Sequence, residues 1–461
     1  MMQELIMRGD QSSVFDSELY SSLFTQPEMK TVWSDSHLID CWLTFETALA
    51  AVQAELEIIP EQAALDIAIA CRTLVPDWDL LSAGTRLVGM PVKPLIDQIA
   101  STGSDLVKKY LHWGSTTQDL LDSGLAMRLK QSLEILRRQL VQLGELLKQM
   151  ADQHRKTVMV ARTNAVDASA TSWGLQVSSY LAELTRHIYR LDSLYPAAIT
   201  GMYGGAVGNL SSCGALGIEV RNRLMARLGL TCPSGMLNAS QDHVAEVIQF
   251  YGLVHGTLCR IANDVETQGR ASTSELREGE EGGGSSAMPH KTNPRASNMI
   301  QTLSRMGWMY AAGAPNLLDQ QDVRSASMRM LNWSLVPEAS LCVATSLQRA
   351  VGLISHLVVD KQQMRRNFSS SHNFVLSESV SMKLAEKIGR QAAYDLVKNL
   401  LKQEDGSRDL LNVVLDCQPI REALSESEIR EACQPESWLG SNDLLIDEAI
   451  AGFDRQKQVI N

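Results

Sequence analysis

Eight cysteines are scattered along the chain, at Cys41, Cys71, Cys213, Cys232, Cys259, Cys342, Cys417 and Cys433, and no two of them form a CxxC pair. Such spacing argues for buried free thiols in a reducing compartment, and no metal site follows from it. Basic charge is also scarce: the formal net charge is −11, which leaves no positive footprint for a nucleic acid partner. An acidic protein that binds an anionic substrate must therefore concentrate positive charge locally. The chain has no run of about 18 apolar residues, the length a membrane span needs. Its opening residues, MMQELIMRGDQSS, have no apolar core of the signal-peptide kind. The expectation is a cytoplasmic protein with neither a membrane nor a nucleic acid partner. Strand-like alternation is nearly absent, and no short internal repeat stands out.

What remains is an ordinary globular composition, with 44% hydrophobic and 21% charged residues over 461 positions. That length exceeds a single core, so two or three domains are expected. Helical periodicity dominates. After Trp33-Ser34-Asp35, the residues Leu38, Trp42, Phe45, Leu49, Val52 and Leu56 recur at three- and four-residue steps until Pro60, with Ser34 or Asp35 as the N-cap. A longer pattern runs from Asp122 to about Arg155 through Leu125, Leu129, Leu133, Leu136, Leu140, Leu143 and Leu147. Others cover about 168–194, 241–267, 296–313 and 337–359. Helices of this length joined by Gly- and Pro-containing loops imply a bundle, hence an all-α chain.

Three stretches carry chemistry. In Gly282-Gly283-Gly284-Ser285-Ser286-Ala287-Met288-Pro289-His290-Lys291-Thr292-Asn293-Pro294, glycines permit close backbone approach, so that N–H groups can cradle an anion. Lys291 adds a point charge for a carboxylate or carbanion. An arbitrary GGGSS is a solvated linker; a run that continues with Met, Pro, His, Lys and Asn is another matter. The second stretch is His112-Trp113-Gly114-Ser115-Thr116-Thr117-Gln118-Asp119-Leu120-Leu121-Asp122. Taken alone it is a hydroxyl-rich helix entry. Neutral donors at a helix start also suit a carboxylate, because the dipole and free N–H groups favour an anion. His112 is either a donor to substrate or a structural histidine. The third stretch is Arg162-Thr163-Asn164-Ala165-Val166-Asp167-Ala168-Ser169-Ala170-Thr171-Ser172-Trp173-Gly174.

The first of these resembles the GSSxMPxKxNP signature of the fumarase/aspartase superfamily, in the MPHK-x-NP form of its adenylosuccinate lyase and 3-carboxymuconate cycloisomerase branch. The second resembles the superfamily's HxGxTSQDxxD segment and the third its RTHxQxAxPxTxG. The resemblance implies three helical domains: an N-terminal one over 1–115, a central long-helix bundle over 116–368 that forms the core of a homotetramer, and a C-terminal one over 369–461. It implies that Ser285 is the catalytic base. Thr116, Thr117, Gln118, His112, Thr163, Asn164, Ser286, Lys291, Asn293 and Arg324 would bind substrate, and no cofactor or metal is called for.

Departures from the pattern are specific. Asn164 stands where the superfamily's histidine usually does, Val166 replaces a glutamine and Ala170 a proline. The glutamate that partners that histidine, seven residues beyond the motif lysine, is here Asn298. An amide orients a substrate but transfers no proton at neutral pH. Thr85-Arg86-Leu87-Val88-Gly89-Met90-Pro91-Val92-Lys93-Pro94-Leu95 resembles the GNPVxPL segment of the cycloisomerases more than the HDV motif of adenylosuccinate lyases. Arg324 falls on the cycloisomerase arginine, whereas Met328-Arg329-Met330-Leu331-Asn332 matches poorly. Gln241 replaces a usual arginine in Ser240-Gln241-Asp242-His243-Val244-Ala245-Glu246, where Asp242 and Glu246 also fit a solvated helix face.

The chemistry implied is cofactor-free β-elimination from a substituted succinate-type di- or tricarboxylate, giving fumarate or a related alkene. Ser285 would take the proton beside one carboxylate, and Lys291 with Asn293 would stabilise the aci-carboxylate. Serine's high intrinsic pKa is the demanding step, to be lowered by the loop N–H donors and Lys291. Two alternatives stay open: an adenylosuccinate lyase of purine synthesis, and an inactive tetrameric scaffold like the lens crystallins that share the fold.

Overall fold

The computed structural model describes residues 11–279, 283–284, 287–371, 373–404 and 407–458. Five long helices dominate: Thr117–Gln153, Trp173–Ala198, Asp242–Gln268, Arg295–Gly313 and Ala326–Ser355. All seven leucines of the long pattern are buried on the first of them, Leu133, Leu140, Leu143 and Leu147 completely. Each fully buried leucine stabilises by roughly 1.5–3 kcal/mol, so this one stripe offsets part of the cost of ordering the helix. The Asp35–Glu55 helix starts as expected, with the Ser34 side chain accepting the His37 N–H at 3.3 Å.

Two local departures from the periodic reading have physical causes. The helix expected from about residue 168 begins at Trp173, because Val158–Thr163 and Val166–Ser172 form an antiparallel hairpin. Its register pairs Thr163 with Val166 around Asn164 and Ala165, whose φ angles of 51° and 64° make the primed turn that matches strand twist. The small residues Ala168 and Ala170 hide the alternation. The last long helix begins at Ala326 rather than Pro337 and carries Pro337 in its interior, although proline has no N–H to return to the preceding turn.

The chain divides into two compact units. One takes the described residues of Met1–Arg138, Arg190–His255 and Leu303–Ser346. Its core gathers Trp42, Phe45, Leu49 and Val52 with Ile67, Leu95, Ile99, Leu120, Tyr203 and Leu224. The other takes Gln139–Tyr189, Gly256–Thr302 and those described in Leu347–Asn461. There Val158 and Val160 of the hairpin pack with Phe368, Val380, Leu384, Val397, Leu410, Val414 and Ile429. Within this second unit the Gly144 backbone approaches the Phe453 ring so closely that a Cβ at Gly144 would sit 2.2 Å from it. The ion pair Lys148–Asp454, at 2.7 Å, flanks that contact.

Candidate active site

In the first unit, the turn ahead of the Thr117–Gln153 helix is fixed from several sides. His112 adopts φ 60° and donates from Nδ1 to the Glu46 carboxylate at 2.5 Å; Glu46 is 1% exposed. Burial lowers the His112 pKa, but the charge and hydrogen bond of Glu46, with help from Asp119, outweigh burial and hold it above the usual histidine value. Gln53 donates to the Trp113 carbonyl at 2.7 Å. Asp119, fully buried, accepts the N–H groups of Thr116 at 2.9 Å, Gly204 at 2.9 Å and Gly205 at 3.1 Å. One carboxylate thus ties the Thr116 turn to the glycine turn at Gly204-Gly205. Burial is the largest influence on Asp119; opposed by those N–H groups and aided by the Asp122 charge, it pushes the pKa up to about 6.

The Thr116 hydroxyl accepts from the Arg324 guanidinium at 3.2 Å, so two of the expected carboxylate binders meet beside the helix start. Gln118 is placed differently. It is buried, and its amide hydrogens go to the Asn238 carbonyl at 2.6 Å and to Asp122 at 3.1 Å. Both partners accept only, which fixes the orientation of the amide. Arg329 completes this cluster, donating to Asp122 at 2.5 Å and to the Asn238 carbonyl at 3.0 Å. Asn332 donates to Gln241 at 2.7 Å. Two sequence departures therefore match one another: Gln241, in place of an arginine, is paired with Asn332 from the segment that aligned poorly.

In the second unit, Thr163 and Asn164 lie exposed at the hairpin tip. Arg162, beside them, is bidentate to Glu275 at 2.8 Å for both bonds and reaches Asp167 at 3.1 Å. Glu275 is fully buried and also accepts from Asn367 at 2.9 Å. The persistence of Arg162 thus has a structural cause: removing it would strand a buried carboxylate. Around the signature, Gly283-Gly284 pairs antiparallel with Thr292-Asn293. A Cβ at Gly283 would lie 1.8 Å from Arg295 Nε, so any other residue there would require the Arg295 side chain to move. Ser285 and Ser286 lie outside the described residues. Lys291 is exposed, Asn293 half-buried, and Asn298 exposed one turn into the next helix. Glu278 holds the start of that helix by accepting from Ala296 N at 3.0 Å, Ser297 N at 2.9 Å and Ser297 Oγ at 2.6 Å.

His112, Thr116, Thr117, Gln118 and Arg324 therefore belong to one unit, and Thr163, Asn164, Lys291 and Asn293 to the other. Glu46, Asp119, Glu275, Glu278 and Arg329 were not singled out from the sequence. The signal for Glu46 was present, as one acid within the apolar stripe of the Asp35–Glu55 helix. Among the described residues no group of His, Cys, Asp and Glu could hold a metal ion, and no helix is long and apolar enough to cross a membrane.

A family model described as "Lyase" matches residues 23–306, and one described as "Adenylosuccinate lyase C-terminus" matches 373–449. The chain belongs to the fumarase/aspartase superfamily. As a member of it, the chain is a lyase of the cycloisomerase-like or succinyl-lyase-like kind, and the superfamily's members process small carboxylates. It is 33% identical to trans-aconitate decarboxylase 1 of Mycosarcoma maydis over 94% of this chain and 88% of that protein. It is 32% identical to 3-carboxy-cis,cis-muconate cycloisomerase of Pseudomonas aeruginosa, over 95% and 97%. The crystal structure of 3-carboxy-cis,cis-muconate lactonizing enzyme from Pseudomonas putida superimposes with a TM-score of 0.90 at 28% identity, over 95% of this chain and all of that one.

Proposed function

We propose that this superfamily member removes a proton and a β-substituent from a succinate-type di- or tricarboxylate without a cofactor, in the cytoplasm. Ser285 Oγ takes the proton from the carbon beside one carboxylate. The released pair is held as an aci-carboxylate by Lys291 and Asn293, then forms the new double bond as the substituent departs with its bonding electrons. Thr116, Thr117, Arg324 and His112 bind the carboxylates, with Thr163 and Asn164 orienting the substrate, Ser286 beside the base, and Gln118 acting through its buried amide.

The observation that carries this reading is the Thr116–Arg324 contact beside a helix start anchored by Asp119. It gathers a hydroxyl and a guanidinium at the positive end of a helix, a set suited to a carboxylate. Asn164 and Asn298 supply no proton, so the substituent is one that leaves as a stable anion or a neutral molecule. The C-terminal match to adenylosuccinate lyase keeps adenylosuccinate in view as an alternative substrate. Incubation of the purified protein with substituted succinates, adenylosuccinate and trans-aconitate, following ultraviolet absorbance of the alkene, tests the proposal. Conversion of at least one dicarboxylate or tricarboxylate is expected, and inertness towards all of them would overturn it.

A further inference from the structure

Within the first unit, Glu46 lies buried on the Asp35–Glu55 helix. Its side chain has one hydrogen-bonding partner among the described residues, His112 Nδ1 at 2.5 Å. The His112 backbone holds that contact in a left-handed conformation, of a kind that persists only where neighbours fix it. Its carbonyl accepts from Ser115 N at 3.2 Å, and the next carbonyl, of Trp113, accepts from Gln53. Nε2, on the opposite edge of the ring, has no partner among the described residues, and 20% of the side chain stays exposed. The surroundings decide where the proton of this pair resides. Burial, the largest influence on His112, opposes its charge; the Glu46 charge and hydrogen bond, then the Asp119 charge, outweigh it. The other titratable groups around the pair are neutral. Burial pushes Cys71, beside Glu46, up to about 12, and burial with the Cys213 contact raises Tyr203. Of the cations on this side, Lys109 is exposed over the Tyr110 ring, and Arg324 bonds to Thr116. A buried carboxylate with no other cation in reach is costly unless its one partner is charged.

We propose that Glu46 is a positioning residue that keeps His112 as an imidazolium, so that Nε2–H meets a substrate carboxylate as a charged donor. The proposal rests on the reading of the Thr116 turn as a carboxylate site and names a second cation for it beside Arg324. Because Nδ1 is committed to Glu46, only Nε2 can turn towards substrate, which fixes both the charge and the direction of the donor. A charge-assisted bond to a carboxylate is roughly twice as strong as a neutral one, so the pair acts on binding and moves no proton.

Titration calorimetry of the full chain with succinate, at pH steps from about 6 to about 9, tests it across the range in which a histidine changes charge. The wild type should keep its full affinity past 6.5, the ordinary histidine value, and lose it only at higher pH. In Glu46→Gln burial is no longer outweighed, so His112 is neutral at pH about 7 and affinity there should be about tenfold weaker. Glu46→Asp keeps the carboxylate and should keep the wild-type profile. His112→Gln should abolish the effect of Glu46→Gln. A wild-type affinity that already falls through 6.5 would overturn the proposal without any variant. So would a Glu46→Gln curve that lies below the wild type by the same factor at every pH, since that describes packing alone. Arg324→Gln separates the two readings. Succinate binding that is absent, or indifferent to Arg324→Gln, removes the carboxylate reading of the turn and this proposal with it. Binding that depends on Arg324 while the Glu46→Gln and wild-type profiles coincide removes only the role of Glu46.

Discussion

Asp119 illustrates how one buried carboxylate serves the site at a cost to stability. Its pKa is pushed up to about 6 by burial, against 3.8 for an ordinary aspartate. The folded state therefore binds the proton more tightly than the unfolded chain. Its contribution to stability is fully present below the unfolded value and is lost as pH rises through about 6. A shift of that size corresponds to about 3 kcal/mol. Asp119→Asn should flatten the pH dependence of stability between about 4 and 6 while weakening substrate binding, because one acceptor for Thr116, Gly204 and Gly205 is lost. Denaturant titrations at a series of pH values check this; parallel curves for variant and wild type would contradict it. Asn164 poses a second question, since its φ of 51° gives it a conformational role beside any chemical one. Asn164→Gly keeps that turn without strain, whereas alanine adds about 1–2 kcal/mol for the left-handed backbone. With glycine, KM should rise several-fold and kcat stay within about tenfold of wild type, because an amide moves no proton. A hundredfold fall in kcat in steady-state assays would refute this. Neither role could be read from residue identity alone: Asp119 stood within a quoted motif, but only folding shows which amides it holds, and a single sequence does not reveal that Asn164 sits at φ > 0.

Long helices were the legible elements because burial repeats with the helical period, as the leucines from Leu125 to Leu147 show. Short-range interruptions were not. Pro337 looked like a helix start, yet the helix passes through it; packing of the leucines and valines around it overrides a local preference. The hairpin at residues 158–172 escaped notice because its second strand, after Val166 and Asp167, is built from Ala, Ser and Thr rather than alternating large residues. Gly144 permits a direct test of packing against propensity. Replacing it with alanine gains about 1 kcal/mol of helix preference. The new methyl meets the Phe453 ring at 2.2 Å, and overpacking of this kind costs about 1–3 kcal/mol. Because Phe453 is fully buried, the clash should win and Gly144→Ala should lower the melting temperature. Adding Phe453→Leu should recover part of the loss. A rise in melting temperature from Gly144→Ala alone would mean that the ring yields.

For the whole molecule, the superfamily was legible from three short stretches, while the substrate was not, because Asn164, Asn298, Gln241 and Arg329 all depart from the pattern that would specify it. We propose a homotetramer whose sites combine the Thr116 segment, the Asn164 hairpin and the Ser285 loop from three different subunits. Leu253, Trp308 and Met309, exposed at 53%, 41% and 73%, are apolar surface of the kind that association covers. Sedimentation velocity should give four times the chain mass of 50.8 kDa, and Leu253→Asp/Met309→Asp should dissociate the assembly with loss of activity. A fully active monomer would contradict the shared site. The central claim is that Ser285 removes the proton, and it is tested most directly by single-turnover and steady-state rates of Ser285→Ala on whichever carboxylate the wild type converts. The account predicts a loss of about a thousandfold or more with fold and assembly unchanged; retention of more than about a tenth of the wild-type rate would assign the proton to another residue.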